Sequence, residues 1–261
     1  MIDWLALVIG NTRWHWAWFQ GDHLQQVWHH EHLVNSQTPA PDLSSILAAH
    51  APSQIRLLPI ESLNIWAVSV VPSQTQGLEH ISTIRWLRHF PLEKVYPTMG
   101  LDRIATLWGA GQHYSWPTLV IDGGTALTFT AGDAGTFVGG AILLGVRSHL
   151  AALHHYTAAL PNLSPPPNLP TRWAKDTPSA IQGGVIHTIL ASIHEFIHSW
   201  ISQYPDTSIL FTGGDGEYLH RLYLEQYQTQ QNQALVNRTW FDPNLMFWGI
   251  SAYRKEETRE L

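Results

Sequence analysis

The stretch Asp122-Gly123-Gly124-Thr125 combines residue types suited to phosphate chemistry. Glycines carry no Cβ, so their N–H groups can come close to an anion. A threonine adds a hydroxyl donor, and an aspartate can hold a cation against the phosphates. A plain hairpin with an aspartate in its turn would show the same residues. A related device, Gly10-Asn11-Thr12, lies near the N-terminus. Between the two lies Asp102-Arg103. On spacing alone the aspartate reads first as a helix-start acid, favoured there by the helix dipole, with the arginine as a surface ion pair.

These residues need elements to hold them. Leu119-Val120-Ile121 reads as a buried strand running into the glycine turn, and Ala126 to Thr130 as the strand leaving it. A second turn at Gly132-Asp133 leads to a third strand, Thr136 to Leu144. The N-terminal copy has the same plan: apolar Leu5 to Ile9, the Gly10 turn, Trp14, Trp16 and Trp18 at period two, then a turn at Gly21-Asp22. Two such units, one opening each half, predict a duplicated domain. Phosphate loops facing each other across a cleft are what a nucleotide-binding protein of the actin, hexokinase and Hsp70 type requires. Trp116-Pro117 falls between the halves, which places the division at 1–112 and 113–261.

Elsewhere, Leu43 to Ala49 predicts a short helix within Pro39 to Pro52, and Asn64 to Val71 a buried strand. Leu78 to Phe90 predicts a helix, and Ile104 to Ala110 another, with Asp102 and Arg103 in its first turn. Val146 to Tyr156 reads as helical, Leu160 to Pro170 as a proline-rich loop. Asp176-Thr177-Pro178 forms a helix start, with proline just inside it, and Ser179 to Ile201 keeps helical period. Ile209 to Gly214 is a further strand entering a glycine turn, and a final helix follows Leu235 to Arg238 and Asp242-Pro243-Asn244-Leu245.

Two histidine patterns point to metal. His29-His30-Glu31-His32 is a dense tract, but neighbours on a strand face opposite ways, so it reads as a solvated turn. His194-Glu195-Phe196-Ile197-His198 satisfies H-E-x-x-H. With 16 histidines such a match comes easily, and both histidines fall at the edge of a core-facing stripe. Zinc peptidase chemistry is not expected.

Composition narrows the classes. The net charge is -6 with no Lys/Arg run, against general nucleic-acid binding. There are no cysteines, which removes disulfides and thiolate chemistry. Charged residues are 13% of the chain, well under the usual ~25%. No apolar run approaches the ~20 residues of a membrane helix, and no basic leader precedes Leu5, so a cytoplasmic protein is expected.

In order and spacing, Gly10-Asn11-Thr12, Gly100-Leu101-Asp102-Arg103, Asp122-Gly123-Gly124-Thr125 and Asp176 to Gly184 resemble the type III pantothenate kinases over nearly the whole chain. Tyr156 to Pro161 and Asp242 to Leu245 look like further landmarks of that family. The resemblance implies an α/β fold of two ribonuclease H-like halves, a homodimer, and phosphorylation of pantothenate by ATP with Mg²⁺, the first step of coenzyme A synthesis. It assigns Val8, Ile9, Gly10, Asn11, Thr12, Arg13, Trp14 and His15 to the first ATP-phosphate loop, and Thr125 to a second ATP contact. Gly100, Leu101, Asp102, Arg103 and Thr177 match the pantothenate contacts, with Asp102 as proton acceptor. Asp122 matches the ligand of a monovalent cation, K⁺ or NH₄⁺.

The chain departs from the family pattern at two positions that matter. Val8 stands where the first loop usually has aspartate, which bears on how Mg²⁺ is held. His15 stands where a lysine is common. Gly183-Gly184 for Ser-Gly is minor. Two other readings follow from the same residues: a kinase of this fold acting on another small hydroxyl substrate, or a nucleotide-binding regulatory homologue without turnover.

Overall fold

The computed structural model describes residues 3–32, 42–75, 78–228 and 236–259. Pro39 and Leu235, at the edges of two expected elements, lie outside them. Two compact units result, one of Met1–Gly109 with Met246–Leu261, the other of Ala110–Leu245.

The first unit opens with the buried strand β1 (Asp3–Ile9), followed by β2 (Arg13–Gln20) and β3 (His23–Glu31). Both pairings, β1 with β2 and β2 with β3, are antiparallel. Helices α1 (Leu43–His50) and α2 (Ser53–Arg56) lead to β4 (Ile65–Ser69) and β5 (Ile84–Trp86). These add in parallel on the far side of β1, giving the five-strand order β3-β2-β1-β4-β5. One face buries Leu5, Leu7, Ile9, Trp14 and Trp16 against Leu43, Ile46 and Leu47 of α1. That face follows from period-two apolar residues meeting a helix stripe.

Helix α3 (Leu101–His113) follows. The second unit then repeats the plan. Strands β6 (Thr118–Gly123), β7 (Ala126–Asp133) and β8 (Thr136–Leu144) form an antiparallel meander, and helices α4 (Val146–Tyr156) and α5 (Thr177–Gln203) follow. Strand β9 (Ser208–Thr212), helix α6 (Gly216–Tyr227) and β10 (Thr239–Phe241) complete it. Strands β9 and β10 add in parallel, so the order β10-β9-β6-β7-β8 matches the first sheet strand for strand. The stripe Val185, Ile186, Ile189, Leu190, Ile193 and Ile197 of α5 packs on Leu119, Ile121, Leu127 and Phe129.

The helix expected over Leu78 to Phe90 is absent: these residues form turns and the edge strand β5, pairing Ile65 with Ile84 and Ala67 with Trp86. Leu78 and Ile84 are buried in the first core, as a helix stripe would be, but the open edge of β4 offers a ladder that local period cannot foresee. The last helix, α7 (Leu245–Arg259), belongs from Met246 onward to the first unit, whereas division at 1–112 and 113–261 assigns it to the second. Its side chains explain the placement. Trp248 meets the Phe19 ring edge-on at 5.9 Å, Tyr253 meets Trp66 at 6.3 Å, and the Arg254 guanidinium lies 4.8 Å over Trp4.

The histidine tract ends β3 instead of forming a solvated turn, and His30 is buried at 7% exposure. His30 Nδ1–H donates to the Glu31 carbonyl (2.8 Å) while Nε2 accepts the Trp16 indole N–H (3.2 Å). Both ring nitrogens are therefore committed in the neutral form, and burial lowers the pKa. An unfolded histidine titrates near ~6.5, so below that pH the unfolded chain binds more protons and stability falls as pH falls. For one group the slope cannot exceed about 1.4 kcal/mol per pH unit. His30→Gln, which cannot titrate, should lose less unfolding free energy between pH 7.5 and 5.5 than the parent in urea titrations. An equal loss in both would contradict the buried neutral state.

Candidate active site

The Gly10 turn sits where β1 ends. Gly10 N–H donates to the Arg13 carbonyl (3.0 Å) and closes the turn, while Asn11, Thr12 and Arg13 are exposed. Val70, just past β4, donates its N–H to the Ile9 carbonyl (3.0 Å). His32 Nε2–H donates to the Gly10 carbonyl (2.7 Å), which fixes that ring's tautomer. Of the loop residues expected to bind ATP, Val8, Ile9 and Trp14 bury their side chains in the sheet. They can offer only backbone, whereas Gly10, Asn11, Thr12, Arg13 and His15 present the accessible groups.

Asp102 lies at the same end of the first sheet. Gly100 starts α3, accepting the Ile104 N–H (3.1 Å). A Cβ on Gly100 would stand 2.5 Å from Asp102 Oδ1 and 3.8 Å from the Val70 side chain, so the missing methyl is what lets the carboxylate fold over the helix start. Through Val70, the Asp102 segment and the Gly10 turn are fastened to adjacent strand ends. Asp102 Oδ1 accepts the Arg103 N–H (2.8 Å), and the Arg103 guanidinium donates to the Tyr96 hydroxyl (2.8 Å).

The plain helix-start reading of Asp102 can be compared with two real caps. Asp42 and Asp176 are exposed, accept the Ser45 and Ser179 N–H groups, and have lowered pKa values for that reason. Burial instead raises the pKa of Asp102, and the Arg103 backbone bond and charge only partly offset it. A half-buried carboxylate held above its usual range is a candidate for proton transfer.

In the second unit, Asp122 is the last residue but one of β6, with Thr128 and Thr212 as its cross-strand neighbours. The hydroxyls of both threonines are buried with no hydrogen-bond partner among the described residues. Gly213 follows at φ +85, and a Cβ there would overlap Asp122 Oδ1 and lie 2.6 Å from the Gly123 carbonyl. The missing Cβ of Gly213 thus admits the Asp122 carboxylate beside the Gly123 carbonyl, and carboxylate, carbonyl and hydroxyl oxygens are the donor types a hard, oxygen-seeking cation takes. Thr125 is exposed in the turn before β7, its carbonyl held by Gly145 N–H (2.9 Å) and the Ser148 hydroxyl (2.7 Å) at the start of α4. Thr177 is the exposed first residue of α5, set by the Asp176 cap.

Sequence reading passed over several polar groups here. Asp215 follows the Gly213-Gly214 turn, its carboxyl raised by burial against the opposing Arg147 charge 3.7 Å away, and its N–H donates to Gly123 (2.7 Å). The glycine pair before it was the signal. Thr128 and Thr212 could be placed beside Asp122 only by strand register. Of the H-E-x-x-H histidines, His194 stacks on Tyr227 at 4.1 Å and lies 3.3 Å from the Tyr223 hydroxyl, while His198 is exposed. Asp242 of the C-terminal motif serves structure, accepting from Tyr114 (2.9 Å) and from Asn244 N–H (2.7 Å).

A sheet of this order made twice, each copy with a glycine turn after its first strand, defines an α/β fold of the actin and hexokinase type. Solved structures carry the same fold at low identity. A Campylobacter jejuni protein described as a Baf family transcriptional activator superposes with a TM-score of 0.64 at 19% identity, covering 98% of this chain and 99% of that one. Component A of (R)-2-hydroxyglutaryl-CoA dehydratase from Acidaminococcus fermentans gives 0.54 at 12%, covering 97% and 96%. Residues 4–199 match the family model for type III pantothenate kinase. The type III pantothenate kinase of Nostoc sp. is 40% identical over 261 aligned residues, 95% of this chain and 93% of the relative. That of a Synechococcus species is 41% identical, covering 97% and 89%. The chain belongs to the type III pantothenate kinase family.

The raised Asp102 carboxyl has a cost in stability. Its folded pKa lies above the unfolded one, so the folded chain binds more protons in between and stability falls as pH rises through the folded value. Asp102→Asn should therefore raise Tm at pH 7.5, by roughly a few degrees at most, with the gain shrinking toward pH 4. A lower Tm in the variant at pH 7.5 would make Asp102 a structural cap.

Proposed function

We propose that this chain phosphorylates pantothenate with ATP to give 4'-phosphopantothenate, the first step of coenzyme A biosynthesis. The observation that carries the reading is identity of about 40% to type III pantothenate kinases across nearly the full length of both chains. A half-buried carboxylate with raised pKa beside a glycine turn supports it.

ATP enters as its Mg²⁺ complex. The Gly10, Asn11 and Thr12 backbone, with Arg13 and His15, holds its phosphates, and Thr125 adds a contact. Val8 is 1% exposed, and its aliphatic side chain would offer no hydrogen bond to hydrated Mg²⁺. Pantothenate binds along Gly100, Leu101, Asp102 and Arg103, with Thr177 as a further contact. Its hydroxyl oxygen forms the new bond to the γ-phosphorus while the bond to the β-γ bridging oxygen breaks. The electron pair leaves with ADP, and Asp102 takes the hydroxyl proton. Phosphoryl transfer asks mainly for such positioning and charge stabilisation. Asp122, with Thr128 and Thr212 beside it on the neighbouring strands, would hold a monovalent cation, K⁺ or NH₄⁺, which would offset phosphate charge.

The active species in this reading is a homodimer. Its support is β8, a sheet-edge strand whose Val138, Ile142 and Leu144 project from one face at 46%, 62% and 48% exposure. No helix among the described residues is long and apolar enough to cross a membrane, and a cytoplasmic location is part of the same proposal. Buried Val8 favours one second reading, nucleotide binding without turnover.

A coupled ADP-release assay separates these. Pantothenate should stimulate ADP release, and a panel of sugars and small carboxylates should not. Asp102→Asn should lower kcat ~100-fold or more while ATP still binds. K⁺ in place of Na⁺ should raise the rate, and Asp122→Ala should abolish that difference. ATP binding without pantothenate-dependent turnover would establish the silent reading instead.

A further inference from the structure

His15 and His29 face each other across the β2–β3 ladder as register partners. Their Nδ1 atoms are 3.0 Å apart and the rings meet edge-on at 4.8 Å. Two nitrogens at that distance are bonded only if one proton lies between them. The neutral pair satisfies this with one further N–H on an Nε2. A singly charged pair also satisfies it, with both Nε2 atoms protonated. A doubly charged pair would set two N–H groups face to face and break the contact. The two imidazoles thus hold at most one extra proton as a bonded unit.

The other end of the His15 ring looks at the phosphate turn. A Cβ on Gly10 would stand 3.6 Å from His15 Nε2, so that nitrogen lies against the backbone an anion would approach. We infer that His29 is a positioning residue for phosphate: it holds His15 with Nε2 toward the Gly10 turn, and the pair takes up one proton as a nucleotide phosphate docks. The inference rests on the assignment of this turn to ATP.

The surroundings fit an uncharged pair in the absence of ligand. Burial, then His29, Arg13 and His30, bring the His15 pKa down to about 4, and burial and Arg13 lower that of His29. On β3, Glu31 lies opposite Arg13 in the ladder, and on β1 the residue paired with His15 is the uncharged Val8. His30 is committed to Glu31 and Trp16, and His32 to Gly10. An incoming polyanion reverses the balance, since negative charge beside an imidazole favours its protonated form. Between the free and bound pKa values, affinity should then rise as pH falls, by up to about ten-fold per pH unit. A lysine at this position would give a fixed charge and no such linkage.

Calorimetry of the full chain with a non-hydrolysable ATP analogue and Mg²⁺, in buffers of different ionisation enthalpy at pH 6.5 and 8, reads both quantities. The parent should take up more protons than His15→Lys, approaching one, and its affinity should fall more steeply toward pH 8. His29→Leu should weaken binding at pH 6.5 by about ten-fold. His29→Gln, whose amide oxygen can accept the His15 Nδ1–H, should restore most of it. Equal proton uptake in the parent and His15→Lys would overturn the proton inference even with binding intact. Unchanged affinity in His29→Leu would overturn the positioning role. No analogue binding at either pH would refute the ATP assignment of the turn itself.

Discussion

The hydrogen bond from Val70 N–H to the Ile9 carbonyl closes the parallel β1–β4 ladder, and much of the first unit's site depends on it. Parallel strands end at the same edge, so whatever follows them emerges together. After β1 comes the Gly10 turn; Val70 follows β4 and packs toward Gly100 at the start of α3. The second unit obeys the same constraint. Parallel β6 and β9 end side by side, which sets Asp122 next to Thr212 and fastens Asp215 N–H to Gly123. A duplicated sheet therefore yields two polar edges from one rule of strand geometry, with glycine wherever backbone and carboxylate must crowd.

Electrostatics then separate the working groups from the structural ones. Only 13% of the residues are charged, and the polar edges rely on histidine, threonine and half-buried carboxyls. Exposed Asp42 and Asp176 are lowered by the N–H groups they cap, while Asp102 and Asp215 are raised by burial. The same residue type thus splits into two populations, and only the raised one holds a proton more readily than an ordinary carboxyl. Burial and neighbouring positive charge likewise hold His15 and His29 below the usual histidine range, which leaves that pair responsive to an arriving anion.

Much of this was legible in the sequence because it is local. The strand Thr136–Leu144 and the helix Val146–Tyr156 have the residues that period and glycine placement mark, and Asp176 caps α5 as its Thr-Pro start implies. The repeat was visible as two strand–glycine–strand units, and the sheets carry it through to identical strand order. What escaped depends on distant partners. β5 is a strand only because β4 has a free edge, and α7 joins the first unit through Phe19, Trp66 and Trp4. Thr128 and Thr212 become neighbours of Asp122 only once the register is fixed, and the same is true of His15 and His29.

In the proposed reaction the Asp102 carboxylate and the Gly10 turn serve one reacting pair. A crystal structure of the full chain with a non-hydrolysable ATP analogue and pantothenate tests this. The γ-phosphate should lie against the Gly10–Thr12 backbone, with the pantothenate hydroxyl within about 3 Å of an Asp102 carboxylate oxygen. A hydroxyl bound away from Asp102, with the carboxylate still folded over the helix start, would contradict it.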